Sequence, residues 1–173
     1  ASVLSNGKVL VTGGGNGVSV LDGAELYDSS TGIWTTTGNM NNARYYHTAS
    51  VLSNGLVLVT GGWNGSVGYL NSAELYDPST GTWAATSNMT NARSDHTASV
   101  LSNGKILVTG GYVNTTIILN SAELYDPSTG TWTTTGNMNN ARSDHTASVL
   151  SNGLVLVTGG WNGATVLNSA ELY

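Results

Sequence analysis

One sequence segment occurs four times in the chain, and this repetition constrains the fold more than any other feature. The segment Leu58-Val59-Thr60-Gly61-Gly62 recurs at Leu10, Leu107 and Leu156, with small changes in the text around it. Spacing is regular, with 49 residues between successive members of the sets His47, His96, His145 and Trp34, Trp83, Trp132. A period near 50 residues indicates an architecture in which each copy is one supersecondary unit that buries its apolar face against its neighbours.

Residues 47–95 serve as the type repeat, and they predict four short antiparallel strands. We expect strands over 47–52, 56–60, 73–77 and 82–86, with a loop over 63–72. Asn54-Gly55 lies between two apolar runs and predicts a type I′ hairpin turn. Pro78 and Gly81 are typical of a turn between the third and fourth strands. No helical periodicity interrupts this pattern, so the sequence predicts an all-β fold.

Each repeat also carries a double glycine, then a tyrosine, then a tryptophan. These marks are Gly13-Gly14, Tyr27 and Trp34; Gly61-Gly62, Tyr76 and Trp83; Gly110-Gly111, Tyr125 and Trp132; and Gly159-Gly160 with Tyr173. They resemble the kelch repeat over the whole chain. The resemblance implies a β-propeller in which each repeat is one blade, here three full four-stranded antiparallel blades plus most of a fourth.

The approximate repeats are 1–46, 47–95, 96–144 and 145–173. Kelch propellers usually have six or seven blades, so the resemblance implies part of a larger ring or assembly. Because the last repeat stops within Ala170–Tyr173, we expect an open sheet edge there, and exposed edges are templates for pairing with another chain. The sequence leaves two alternatives open, which are continuation in a longer chain and self-association by strand completion into a ring or filament.

Composition excludes several classes of function. Charged residues make up 9% of the chain, and a net charge of −5 with only five lysines and arginines argues against a nucleic-acid surface. Cysteine is absent, which excludes disulfides and thiolate metal sites. No apolar run approaches the length of a membrane span, so we expect no membrane insertion.

Low lysine content and many uncharged polar residues favour an extracellular, secreted protein. Three asparagines match the N-glycosylation pattern, although chance alone predicts about as many matches. They are Asn64, Asn88 and Asn114. We expect no cofactor apart from such N-linked glycans.

One glutamate in each repeat and one arginine in each linker form the first candidate constellation. The glutamates are Glu25, Glu74, Glu123 and Glu171, and the arginines are Arg44, Arg93 and Arg142. A ring of charges facing a ligand is one interpretation. Strict repetition in every blade favours the other, in which the arginine of one blade bonds the glutamate of a neighbour as a structural pair.

The histidines invite a metal hypothesis, but equivalent positions in successive blades are spread around a ring instead of converging on one ion. We expect each ring to bond backbone near the Gly-Gly turn. Some kelch-like propellers are copper radical oxidases that need tyrosine, histidine and a cysteine, and this chain has no cysteine. Nothing resembles a Gly-x-Ser-x-Gly nucleophile elbow either. We therefore predict no catalytic residue and no metal site.

Two connections vary between repeats, the second-to-third-strand loop and the linker after the fourth strand. In an antiparallel blade both emerge on one face, which in kelch proteins commonly carries the partner site. The candidate contacts there are Tyr45, Tyr46, Trp63, Tyr69, Tyr112 and Trp161. Aromatic residues beside Asn and Ser suit protein or glycan recognition. Packing of Trp63 and its equivalents between blades, with neutral loop drift, is the competing interpretation.

The sequence thus predicts a non-enzymatic kelch propeller that acts as a protein- or glycan-binding or assembly scaffold through this face. Two alternatives remain, a self-associating structural repeat protein and a section of a propeller enzyme whose catalytic residues lie elsewhere. Converging histidine, tyrosine or carboxylate side chains in the ring channel would favour the enzyme.

Overall fold

The computed structural model describes residues 1–173, which form strands, turns and loops without a helix. The first sheet consists of β1 (Ser2–Val3), β2 (Val9–Thr12), β3 (Ala24–Asp28) and β4 (Ile33–Thr36). The second consists of β5 (Thr48–Val51), β6 (Val57–Thr60), β9 (Ala73–Asp77) and β10 (Thr82–Ala85). Between β6 and β9, a separate small hairpin is formed by β7 (Trp63–Asn64) and β8 (Gly68–Tyr69). The third consists of β11 (Thr97–Val100), β12 (Ile106–Thr109), β13 (Ala122–Asp126) and β14 (Thr131–Thr134). The fourth has three strands, β15 (Thr146–Val149), β16 (Val155–Thr158) and β17 (Ala170–Leu172).

Neighbouring strands in each sheet are antiparallel and follow chain order, which confirms the all-β, four-stranded blade prediction. The register is the same in every blade. Val59 faces Glu74 across β6 and β9, and Val11 faces Glu25 across β2 and β3. Equal register places each repeated side chain at an equivalent point of its blade.

The blades stack so that their first strands, β1, β5, β11 and β15, lie against one another. The apolar core is divided among the junctions between blades. One cluster joins Leu10 and Met40 of the first blade to Val57, Val59 and Tyr76 of the second. Every residue of β6 and β12 is buried, as the continuous apolar run predicts for a strand covered on both faces.

The type I′ prediction for the Asn-Gly turns is wrong. In the second blade the Gly55 N–H donates to the Leu52 carbonyl at 2.9 Å, and the Leu52 N–H donates to the Leu56 carbonyl at 2.8 Å. Gly55 has a φ of 85°, whereas no asparagine of these turns has a positive φ. This is a three-residue loop, a type I turn followed by a left-handed glycine. The extra residue leaves the Asn54 carboxamide free to accept from the Leu56 N–H at 3.1 Å.

The interval 63–72 was predicted to be a loop, but in the second blade part of it is ordered as a hairpin. Trp63 pairs with Tyr69 across β7 and β8, and Gly68 at a φ of 87° allows the reversal. The corresponding loops of the other blades contain only isolated bridges. The hairpin fixes two aromatic side chains side by side.

The double glycines occupy points where one blade passes close to the next. A Cβ placed on Gly62 (φ 94°) would lie 2.7 Å from the Tyr45 carbonyl oxygen and 3.0 Å from the His47 Cβ. Gly55 has a similar φ of 85°, but a Cβ there would meet nothing within 4 Å. Both positions therefore favour glycine because their φ is positive. Only at Gly62 would a side chain also clash with the neighbouring blade.

We expect Gly62→Ala to lower the free energy of unfolding by about 2–3 kcal/mol, since backbone strain and a steric clash add together. Its matched control, Gly55→Ala, carries only the backbone strain and should cost about 1 kcal/mol. Urea denaturation of both variants measures the difference. Equal losses would show that the blades do not meet closely at Gly62.

The structure contains no helix long and apolar enough to cross a membrane.

Candidate functional site: the loop face

The second-to-third-strand loops and the interblade linkers lie side by side on one face of the blades, here called the loop face. Tyr45 in the first linker exchanges two backbone hydrogen bonds with Trp63 in the next blade's loop, at 2.9 and 2.7 Å. Ser94 pairs with Tyr112 and Ser143 pairs with Trp161 in the same way. Each linker is thus held by the loop of the following blade, and the first and second strands' hairpin turns lie on the opposite face.

Beside these pairs, three equivalent linker residues adopt left-handed backbone conformations. Tyr46, Asp95 and Asp144 have φ values of 56°, 53° and 52°. The Asp95 N–H donates to the Tyr46 carbonyl, and the Asp144 N–H donates to the Asp95 carbonyl, both at 3.1 Å. Aspartate tolerates this conformation, whereas for tyrosine it is strained. The ladder brings the three side chains of successive blades together.

An open cavity of about 430 Å³, here called the acidic cavity, lies over this ladder. Its walls come from two loops and three linkers. The lining residues are Tyr46, Trp63, Tyr69, Ser94, Asp95, Tyr112, Thr115 and Asp144. Four aromatic side chains therefore surround two carboxylates, and no lysine or arginine lines the cavity.

The acidic cavity shifts the pKa values of two of its groups, the Asp95 carboxyl and the Tyr46 phenol. Burial raises the pKa of the Asp95 carboxyl above its usual value, the Ser94 hydroxyl opposes that rise, and the Asp144 carboxylate adds to it. The pKa of Tyr46 rises to about 12, first because of its hydrogen bond with Tyr45, then because of burial, and with smaller contributions from the charges of Asp95 and Asp144. A negative potential at this mouth favours a cationic ligand.

A second and larger cavity, of about 700 Å³, adjoins the first at Trp63. Here it is called the wide cavity, and it lies between the loops of the first two blades. Val18 and Val20 of one loop face Tyr45, Trp63 and Asn64 across it. Five of the six predicted contact residues line the two cavities, and Trp161 lines neither.

Sequence reasoning did not include Asp95 and Asp144 among the contact residues. The sequence did mark these positions as variable, because the first linker has Tyr45-Tyr46 where the later linkers have Ser94-Asp95 and Ser143-Asp144. The sequence does not show the backbone hydrogen bonds that place Tyr46, Asp95 and Asp144 around one cavity.

The predicted arginine–glutamate pairs lie beneath the loop face and bridge neighbouring blades. The Arg44 Nη2 atom lies 2.8 Å from the Glu74 Oε1 atom, and both side chains are at most 1% exposed. The same pair forms between Arg93 and Glu123 at 2.8 Å and between Arg142 and Glu171 at 2.7 Å. No guanidinium is therefore available to a ligand.

Each pair is surrounded by further donors and acceptors. Arg44 also donates through Nη1 to the Gly61 carbonyl at 2.7 Å, while the Asn41 and Asn42 N–H groups donate to the Glu74 carboxylate at 2.7 and 3.0 Å. Burial by itself raises the pKa of the Glu74 carboxyl, but the bonds from Asn41 and Arg44 outweigh it and hold that pKa below its usual value. We call this arrangement the clasp.

Glu25 is the exception. It occupies the clasp position of the first blade but is exposed and forms none of the three buried pairs.

The histidines bond side chains of the preceding blade, so the expected bond to backbone near the Gly-Gly turn is wrong. His96 Nε2 lies 3.0 Å from the Thr48 hydroxyl and 3.2 Å from the Thr60 hydroxyl, and the ring's Nδ1 atom has no hydrogen-bond partner. Burial, with a contribution from the linker arginines, lowers the pKa of His47 and His145 to about 4. No three His, Asp or Glu side chains come together in a way that could hold a metal ion.

The three sequons lie in different surroundings. Asn88 is exposed in a linker. The Asn64 side chain donates to the Ala43 carbonyl at 2.8 Å, and the Asn114 carboxamide accepts from the Thr116 and Ile117 N–H groups at 2.9 Å. Glycosylation and secretion stay predictions.

The four-stranded antiparallel blades and the clasps between them are the architecture of consecutive blades of a β-propeller. A family model, the KLHDC2/KLHL20/DRC7 Kelch-repeats domain, matches residues 1–173. The chain therefore belongs to the kelch-repeat family, and the resemblance drawn from its repeats is confirmed. Kelch domains are in general non-enzymatic propeller scaffolds that bind protein partners. No curated protein matches the chain.

Proposed function

We propose that this propeller section binds a segment of a partner protein on its loop face, and that the acidic cavity receives a lysine or arginine side chain of that segment. The observation that carries this proposal is the composition of the cavity, four aromatic walls around Asp95 and Asp144. A cation near aromatic faces is attracted by their quadrupoles, and nearby carboxylates add direct Coulomb attraction.

The distribution of charge supports a basic partner. The chain carries a net charge of −5, and its three arginines are all buried in clasps. The two lysines pair with aspartates near the hairpin turns, Lys8 with Asp28 at 3.5 Å and Lys105 with Asp126 at 3.0 Å. The loop face thus has no cation of its own to repel such a partner or to neutralise Asp95 and Asp144.

The wide cavity supports an extended contact. It shares Trp63 with the acidic cavity and presents Val18 and Val20, which are apolar. A partner segment with a basic residue close to an aliphatic one would fill both cavities at once. Large aromatic anchors in such places are the usual source of binding energy at an interface.

Selection from a phage-displayed peptide library tests this proposal. Peptides retained by the chain should carry lysine or arginine next to an aliphatic residue, and their affinity should fall as salt rises. Asp95→Asn should weaken the selected peptides by about tenfold. The matched control is Asp77→Asn, which makes the same change of charge in a hairpin turn on the opposite face and should leave affinity unchanged.

The proposal would be contradicted if the selected peptides lacked basic residues. It would also be contradicted if they lost affinity for the Asp77→Asn variant and not for the Asp95→Asn variant.

An array of neutral glycans tests the alternative of carbohydrate recognition. Binding of a glycan that is insensitive to salt and to Asp95→Asn, but lost in Tyr69→Ala, would point to carbohydrate recognition instead.

A further inference from the structure

Two aromatic residues of the acidic cavity depart from the repeat. Tyr46 stands on the backbone ladder where the later linkers have Asp95 and Asp144. Tyr69 pairs with Trp63 across the small hairpin, whereas the other three loops have an aliphatic residue at this point. These aliphatic residues are Val20, Ile118 and Val166. The two exchanges gather aromatic rings at one point of the loop face, while the scaffold around them stays repetitive.

The rings of the cavity do not pack against one another. Four aromatic pairs stack ring on ring in the chain, and none of them joins two residues of the cavity. Among the cavity residues only Tyr46 contacts another ring, that of Tyr45, with 3.7 Å between the centroids. A space of about 430 Å³ therefore lies between the rings of Tyr46, Trp63, Tyr69 and Tyr112. The face of an aromatic ring attracts a cation placed over it.

The two carboxylates provide charge more than free hydrogen-bond acceptors. The Ser94 hydroxyl donates to Asp95 Oδ2 at 2.9 Å, and the Ser143 hydroxyl donates to Asp144 Oδ2 at 3.0 Å. One oxygen of each carboxylate is thus already bonded within the chain. An ordinary lysine ammonium is strongly hydrated, and its three N–H groups need acceptors when water is removed. A trimethylated ammonium has no N–H group and presents apolar methyl groups, so it loses little when it leaves water for aromatic walls.

We propose that the acidic cavity selects the trimethylated ammonium group of a trimethyllysine in the partner segment. This inference rests on the proposed function, because it names the chemical form of the basic side chain that the loop face binds. The methyl groups would contact the rings, and Asp95 and Asp144 would balance the positive charge through space. A choline headgroup carries the same cation, but its phosphate would lie near these two carboxylates and be repelled. A lysine side chain carries the cation on a neutral stem and avoids that repulsion.

The first test uses tetramethylammonium chloride as a probe of the 173-residue chain. We expect a saturable NMR shift of the Trp63 indole N–H signal. The Trp161 indole is an internal control, since it lines neither cavity. Sodium chloride at the same ionic strength, and tert-butanol, which has a similar shape without the charge, should not reproduce the shift. If tetramethylammonium shifts Trp63 no more than sodium chloride does, the inference is wrong.

The second test compares three forms of one library-selected peptide that contains lysine. The trimethyllysine form should bind about tenfold more tightly than the unmodified form. An uncharged form, with carbon in place of the side-chain nitrogen, should lose this gain. Tyr69→Val in the chain should abolish the preference for trimethyllysine, and Tyr69→Phe should retain it. Tyr69→Val places a residue type that other blades carry at this point, and an unchanged melting temperature would confirm that it folds.

The outcomes separate this inference from the proposed function. If the unmodified peptide binds at least as tightly as the trimethylated one and remains sensitive to Asp95→Asn, the inference is wrong and the proposed function stands. If neither form binds, both are wrong. Tighter binding of phosphocholine than of tetramethylammonium would assign the cavity to a choline headgroup and overturn the choice of trimethyllysine.

Discussion

Replacement of Glu74 by alanine is expected to lower the free energy of unfolding by about 3–5 kcal/mol, the usual cost of leaving a buried charge without its partner. The variant leaves the Arg44 guanidinium, which is fully buried, with no counter-charge. It also removes the acceptor of the Asn41 and Asn42 N–H groups. Urea denaturation followed by circular dichroism measures the loss.

The chain contains its own control for this experiment. Glu25 has the same position and register in the first blade but is exposed, so Glu25→Ala should leave the unfolding midpoint of the isolated chain unchanged. Glu171→Ala should cost less than Glu74→Ala, since the Glu171 side chain is 10% exposed. An unchanged midpoint in Glu74→Ala would refute a structural role for the clasp.

The second large effect is a loss of stability in mild acid. An unfolded histidine has a pKa of about 6.5, whereas burial lowers the folded-state pKa of His47 and His145 to about 4 and that of His96 well below its usual value. Below pH 6.5 the unfolded chain therefore binds protons that the folded chain excludes. Stability should be complete above pH 7 and should fall as the pH drops toward 4, by about 2 kcal/mol each for His47 and His145 at pH 5. His96 should add to this loss in the same direction.

The pH range from 7 to 5 separates the effect of the histidines on stability from that of the clasps. The pKa values of Glu74 and Glu123 are held below their usual values, so their contribution is present above pH 4.5 and is lost only at lower pH. Near pH 5 the slope of unfolding free energy against pH should therefore report about three protons, one for each histidine. In His96→Gln, whose carboxamide can still bond Thr48 and Thr60, the slope should fall by about one proton. A free energy of unfolding that does not change between pH 7 and pH 5 in the wild type would show that the folded chain does not exclude protons from its histidines.

The repeats made the blade predictable, but its turns and side-chain partners less so. Strands were predicted correctly to within one residue of β5, β6, β9 and β10, because β-branched and apolar runs between turn residues leave few alternatives. The type I′ turn was wrong because Asn-Gly also fits a longer loop, and only the hydrogen bonds of Leu52 and Gly55 distinguish the two.

The histidine and loop-face predictions show a different limit. A linear repeat places His96 at the start of a strand, but it does not show that Thr60 of the preceding blade lies opposite. Asp95 and Asp144 come together with Tyr46 only because successive linkers are bonded around one ladder. Contacts between blades depend on the rotation from one blade to the next, which no single repeat encodes.

Hydrogen exchange with a library-selected basic peptide tests most directly whether the loop face is the binding surface. Exchange should slow in the loops at 15–20, 63–69 and 112–118 when the peptide is bound. The hairpin turns at 53–55 and 77–81 should exchange at the rate of the free chain. Protection of those turns, with unchanged exchange in the loops, would place the partner on the opposite face and contradict the proposed function.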